Sequence, residues 1–360
     1  MDNYTDYNDN KKVTYHEQTD ILNILKLRAV LKTLPDFCRD YFRAMDPLTT
    51  TKTRISYAYD IRIFFQFLLD ENPVFKDCSM KDFTVDVLDQ IKAVDIEEYQ
   101  EYLKVYKNGD KTETNGERGL KRKISALRSF YAYYYKHEFI KTNPTVLIDV
   151  PKTHEKSIIR LDADEVAMLL DYIEHCGDEL TGQKRVYYEK TKERDLAIVT
   201  LLLGTGIRVS ECVGLDIEDV DFKNNGITVT RKGGNQMVVY FGNEVAEALK
   251  QYMQGDRKGL SPLPGHENAL FLSTQRRRMG VQAVENMVKK YSRQVTPNKK
   301  ITPHKLRSTY GTSLYRETGD IYLVADVLGH KDVNTTKKHY AAIDENRRRQ
   351  AASAVKLRED

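Results

Sequence analysis

Two short β-rich runs interrupt a chain otherwise patterned with the 3.6-residue period of helices. They confine the fold to a mainly α architecture with a small antiparallel β-sheet. The runs cover 226–231 and 237–241, and Lys232-Gly233-Gly234-Asn235-Gln236 between them is a hairpin or meander turn signal. Ahead of them, Ile21, Leu22, Leu25, Val30, Leu31 and Leu34 recur with helical spacing until Pro35 interrupts. Threonines 49–51 supply an N-cap for a second helix through Ile55, Tyr59, Ile63, Phe64, Phe67 and Leu68. Shorter helical stretches are predicted at about 80–91 and 95–106. The polar stretch 107–116, with Gly109 and Gly116, reads as a loop.

The next helix puts Leu120, Ile124, Leu127, Tyr131 and Tyr134 on one stripe. Arg118, Lys121, Arg122, Ser125 and Arg128 fall mostly on the other side. That pattern fits a bundle helix laid against DNA, and equally an ordinary solubilising face. Asn143-Pro144 ends this bundle, and the charged stretch 150–159, containing Pro151, reads as an extended linker. A second domain begins at Leu161, where Asp162 or Asp164 caps a helix through Val166, Leu169, Leu170 and Ile173. Residues 176–192 are polar and read as a loop. Helical period returns at 194–203, is broken by Gly204-Thr205-Gly206, and after the strands resumes from about Val281.

Composition narrows the class. With 360 residues, 40% hydrophobic and 31% charged, the chain has the length for two globular domains. No apolar run reaches the ~18 residues of a membrane span. Residues 1–18 are polar and read as a loose tail without the apolar core of a signal peptide, so a cytoplasmic protein is expected. Cys38, Cys78, Cys176 and Cys212 are widely spaced, which predicts buried thiols rather than disulfides or zinc ligands. The net charge of +4 says little, but 276–307 is strongly basic, with Glu285 its sole acid. Such a one-sided field, led by Arg276, Arg277 and Arg278, suits a polyanion.

Five strings carry the chemistry. In order they are Gly206-Ile207-Arg208-Val209-Ser210-Glu211, Arg231-Lys232-Gly233-Gly234, Thr302-Pro303-His304-Lys305-Leu306-Arg307, Leu328-Gly329-His330, and Thr335-Thr336-Lys337-Lys338-His339-Tyr340. Cleaving a phosphodiester without a metal requires guanidinium and imidazole donors for the charge on the non-bridging oxygens. It also requires a side-chain nucleophile and a proton for the departing alkoxide. Two arginines, two histidines, a lysine in a glycine turn and a tyrosine meet those needs. No Asp/Glu cluster has the spacing of a two-metal nuclease.

At these strings the chain resembles the tyrosine recombinase or phage-integrase family, and in type the bacterial Xer recombinases. The resemblance covers about 160–345 by motif, whereas the first half matches only as the helical core-binding domain that precedes it. It implies a tail at 1–18, a core-binding domain at 19–149, a linker at 150–160, a catalytic domain at 161–345 and a terminal tail or helix at 346–360. Arg208 would grip the scissile phosphate, oriented by Glu211, and His304, Arg307 and His330 would hydrogen-bond it. Lys232, with Arg231 beside it as a competitor, would protonate the 5′-oxygen. Tyr340, ten residues beyond His330 and one more than in many Xer proteins, would attack and hold the 3′-phosphate. Lys121, Arg122, Arg128, Arg276, Arg277 and Arg278 would contact DNA.

The implied activity needs no metal, cofactor or ATP. Its partners are a double-stranded recombination site, a homo-tetramer on two sites joined through a Holliday junction, and a translocase or accessory factor. A Xer-like chromosome-dimer resolvase is expected ahead of a mobile-element integrase. A non-catalytic DNA binder and a type IB topoisomerase are the readings from other classes.

Overall fold

Thr14 and Glu17 cap one another, the threonine hydroxyl accepting the Glu17 N–H and the glutamate accepting that of Thr14. Helix α1 (Tyr15–Leu31) therefore starts inside the stretch read as tail. The computed structural model describes residues 14–152, 154, 158–231, 234–330 and 332–334, and the chain divides into two units after residue 155. The expected helix at 346–360 lies outside the described residues. So do parts of the linker. No described helix is long and apolar enough to cross a membrane.

The first unit contains α1, α2 (Cys38–Ala44), α3 (Thr51–Glu71), α4 (Val87–Gln90), α5 (Ala93–Tyr102), the strands β1 (Val105–Asn108) and β2 (Lys111–Thr114), and α6 (Glu117–Lys136). Thr50 caps α3, its hydroxyl accepting the Thr53 N–H. Helix α3 packs against both α1 and α6, burying Phe64, Phe65 and Leu68 against Phe130, Tyr131 and Tyr134. Each such burial stabilises by about 1.5–3 kcal/mol. One buried acid stands in this core: Asp60, only 2% exposed, pairs with Arg122 and Lys123 of α6. The stretch expected to loop at 107–116 forms an antiparallel hairpin with Asn108 opposite Lys111. Helix at 80–91 is confined to the four residues of α4.

The second unit contains α7 (Ala163–His175), α8 (Gly182–Glu189), α9 (Lys192–Thr205), α10 (Val209–Gly214), β3 (Val220–Asp221), β4 (Gly226–Thr230), β5 (Gln236–Tyr240), α11 (Asn243–Gln254), α12 (Asp256–Gly259), α13 (Val281–Val295), α14 (Pro303–Thr318) and α15 (Ile321–Leu328). Asp162 is the N-cap of α7, with Glu165 accepting its backbone N–H. Helix α9 is the hub: Ala197, Ile198, Leu201 and Leu202 are buried, and α7, α11 and α14 all pack on it. Gly204 allows the α11 contact, because a Cβ there would stand 2.4 Å from Val245 Cγ2. The sheet is antiparallel in the order β3-β4-β5, with Ile227 opposite Val239 and Val229 opposite Met237. Helix α8 occupies the stretch read as a loop, and α11 forms well before residue 281, where helices were expected to resume. Cys38, Cys176 and Cys212 are buried as expected, but Cys78 is exposed.

Candidate active site

The hub helix delivers the first arginine. Gly206 ends α9 with φ +63°, a left-handed conformation that suits glycine, and a Cβ there would meet Tyr310 at 2.4 Å. The chain then extends through Ile207 to Arg208, the N-cap of α10. Glu211, one turn on and 4% exposed, accepts both the backbone N–H of Arg208 and its Nη1, each at 2.7 Å. A buried carboxylate thus serves one arginine with both oxygens and fixes it at two points.

The second arginine comes from α14. Thr302 is extended and Pro303 occupies the first turn, where its missing N–H costs nothing. Exposed His304 follows, and Arg307, 4% exposed, lies one turn further on. Arg307 donates Nη1 to the Gly206 carbonyl and Nη2 to the Leu328 carbonyl. The backbone turn preceding Arg208 is thereby tied to α15.

Helix α15 closes the site. Gly329 terminates it at φ +62°, and the half-buried His330 donates its backbone N–H back to Ala325 O at 2.9 Å. The last carbonyls of a helix carry partial negative charge and lack partners within the helix. Here three arginines supply them. Arg231 donates to Val327 O at 2.7 Å, Arg307 to Leu328 O, and Arg208 to Gly329 O at 3.4 Å. Burial pulls the Arg231 guanidinium below its ordinary value, with Glu211 opposing this and Arg208 adding to it. Against three guanidiniums stand one buried carboxylate, Glu211, and the exposed Asp326. The excess positive charge suits a phosphate group.

The structure therefore brings Arg208, Glu211, Arg307 and the turn bearing His330 together, with His304 one helical turn before Arg307. Lys232 and Tyr340 lie outside the described residues. In the first unit Lys121 is exposed, while Arg122 is paired with Asp60. Arg128 is spent on the carbonyls of Thr145 and Ile148. Arg276 and Arg277 are exposed in a tight turn, whereas Arg278 holds Asp216 and the carbonyls of Val213 and Leu215. Arg128 and Arg278 thus brace backbone carbonyls of their own units. Sequence reasoning read Gly206 as a helix breaker and Gly329 as part of the Leu-Gly-His string, without the packing role of either, and it weighed Arg231 only as an alternative acid. The signal for Arg231 was there: it follows Ile227 and Val229 at every second position, on the inward face of a strand.

Helices around a small sheet, with Arg-x-x-Glu and His-x-x-Arg steps converging on a Leu-Gly-His turn, define a class of DNA strand-transfer enzyme. Residues 159–347 match the phage integrase family, and the chain belongs to that family, the tyrosine recombinases. The tyrosine recombinase XerC of Caldanaerobacter subterraneus subsp. tengcongensis is 32% identical over 316 residues, 85% of this chain and 82% of that protein. The tyrosine recombinase XerS of Streptococcus uberis is 29% identical over 334 residues, 86% of this chain and 93% of that protein. Among solved structures, a XerH site-specific recombinase bound to its difH substrate matches with TM-score 0.60 at 19% identity, over 84% of this chain and 80% of that one. The Tn1549 transposon integrase in complex with circular intermediate DNA matches with TM-score 0.61 at 22% identity, over 84% of this chain and 94% of that one. These likenesses establish the fold.

Proposed function

We propose that this chain is a Xer-type site-specific recombinase that cuts and rejoins double-stranded DNA through a 3′-phosphotyrosine at Tyr340. The observation that carries the reading is the seating of Arg208 and Arg307 on the turn that bears His330. Two guanidiniums and the imidazoles of His304 and His330 would neutralise the charge that builds on the non-bridging oxygens of a five-coordinate phosphorus. Glu211 would act through Arg208 by fixing its rotamer. As the tyrosine oxygen bonds to phosphorus the P–O5′ bond breaks, and Lys232 would protonate the departing oxygen. The phosphotyrosine keeps the energy of the bond, so a 5′-hydroxyl from a partner strand can displace the tyrosine without ATP or a metal.

Residues 19–149 would bind the site as a core-binding domain, with the linker at 150–160 joining it to the catalytic domain at 161–345. Four protomers on two sites would exchange strands through a Holliday junction, with a translocase or other accessory factor setting the timing. Relatives named XerC and XerS match over most of their own length, which favours chromosome-dimer resolution over mobile-element integration.

A nicked suicide substrate tests the reading. Wild-type protein is expected to form a covalent protein–DNA adduct in the presence of EDTA, and Tyr340→Phe to form none while still binding DNA. An adduct that survives the substitution removes Tyr340 from the reaction.

A further inference from the structure

The cleavage proposed above assigns no step to Arg231, yet three features of the second unit converge on it. It continues the inward-facing register of β4 after the buried Ile227 and Val229, a position that usually takes an apolar side chain. Its backbone closes the turn between β4 and β5, with its N–H donating to Asn235 O at 2.8 Å and its carbonyl accepting the Gly234 N–H at 3.0 Å. Its side chain crosses to α15, where Nη2 donates to Val327 O at 2.7 Å and Nη1 fills the space beside Gly329 that a side chain would take. A Cβ built on Gly329 would lie 1.3 Å from that nitrogen. Its Nε is buried without a hydrogen-bond partner among the described residues, so the position does not satisfy the guanidinium in full.

A residue whose backbone closes one turn and whose side chain grips another holds the two in register. The first turn is closed by hydrogen bonds of Arg231 with Gly234 and Asn235, and Lys232 follows Arg231 in the sequence. The second carries His330. We infer that Arg231 is a positioning residue for protonation of the leaving group by Lys232, its neighbour in the sequence, because it fastens the base of the β4–β5 turn to the end of α15. The inference rests on the reading of Lys232 as the acid. It differs from a role on the phosphate itself, which Arg208 and Arg307 already supply.

Sulfur at the bridging position separates the two roles. Breaking P–O5′ leaves an alkoxide that must gain a proton, whereas breaking P–S5′ leaves a thiolate that needs none, because thiols are far stronger acids than alcohols. Single-turnover cleavage by the full chain is measured on suicide substrates with 5′-oxygen or 5′-sulfur at the scissile phosphate. Arg231→Met is expected to slow the oxygen substrate by at least about tenfold, part of the ~10²–10⁴-fold that a general acid contributes. Its DNA affinity should hold, and its rate on the sulfur substrate should approach that of the wild type. Arg231→Lys, which keeps a donor and a charge, should fall between the two and be rescued by sulfur in the same way, which covers the case in which the methionine variant does not fold.

A defect of equal size on both substrates, or no defect on oxygen, overturns the positioning role. Lys232→Ala is the control for the reading beneath it. If sulfur fails to rescue Lys232→Ala, that lysine is not the acid and the inference falls with it. If sulfur rescues Lys232→Ala but not Arg231→Met, only the inference falls.

Discussion

Gly329 shows how closely single residues are constrained around the arginines. Its φ of +62° would cost a residue with a side chain about 1–2 kcal/mol, and any Cβ would strike the Arg231 guanidinium. Gly329→Ala is therefore expected to cut suicide-substrate cleavage sharply and to lower stability by more than the backbone term. In an Arg231→Ala background the same change should cost only about that backbone term, giving a coupling energy of about 1 kcal/mol or more in a double-mutant cycle. Strict additivity would show that the two residues do not compete for one space. At this scale the sequence was a good guide wherever chemistry needs particular residue types at short spacing. Arg208 with Glu211, and His304 with Arg307, stand one helical turn apart and can be paired by eye. Arg231 was harder to read, because its partners, Val327 and Gly329, lie almost a hundred residues away and only folding brings them near. The carbonyl partners of Arg128 and Arg278 were hard to read for a related reason. A basic residue on a polar face looks the same whether it meets a phosphate or a carbonyl of its own chain.

Elements were legible where they carry a cap or a long apolar stripe. Thr50 before α3 and Asp162 before α7 each announce a start, and the stripe of α6 runs as its spacing predicts. Helix α11 follows Gly242, which offers no side-chain cap, so its start did not stand out, although Val245, Leu249 and Tyr252 form a buried stripe at helical spacing. The hairpin of β1 and β2 buries only Tyr106 and shows no alternation of apolar residues. Its one cue was Asn108-Gly109, with Gly109 at φ +62°. An acid in α4 gives an element-level prediction. Asp89 accepts the backbone N–H groups of Lys141 at 2.9 Å and Thr142 at 3.0 Å, holding the strand of chain that leaves the first unit. Partial burial pushes its carboxyl up, but the hydrogen bonds from Lys141 and Thr142 outweigh that and hold it below the ordinary range. A carboxyl lowered on folding stabilises above the ordinary value, and the contribution is lost as pH falls through the folded value. Urea unfolding at stepped pH should show Asp89→Asn to be less sensitive than wild type below about pH 4, by less than about 1 kcal/mol because the group is exposed. Parallel pH profiles would remove Asp89 from the acid response.

At the scale of the whole molecule, each unit has its own core: a dense aromatic one in the first, and the surroundings of α9 in the second. Residues 1–155 and 156–360, produced separately, are each expected to unfold in a single cooperative transition, followed by calorimetry or circular dichroism. A half that gives no transition would show that its core depends on the other. The division was readable from Asn143-Pro144 and the charged, proline-containing stretch after it, because a break in apolar period is visible without knowing the fold. The Asp60 pair with Arg122 and Lys123 was not readable, because its partners lie 62 and 63 residues away in the sequence. The seating of three arginines on the end of α15 has a consequence for the order in which the protein is made. Ribosomes deliver residues 208, 231 and 307 before 327–329, so a chain still under synthesis carries these cations with nowhere to dock. An arginine cluster built this way cannot assemble until residues 327–329 have been made.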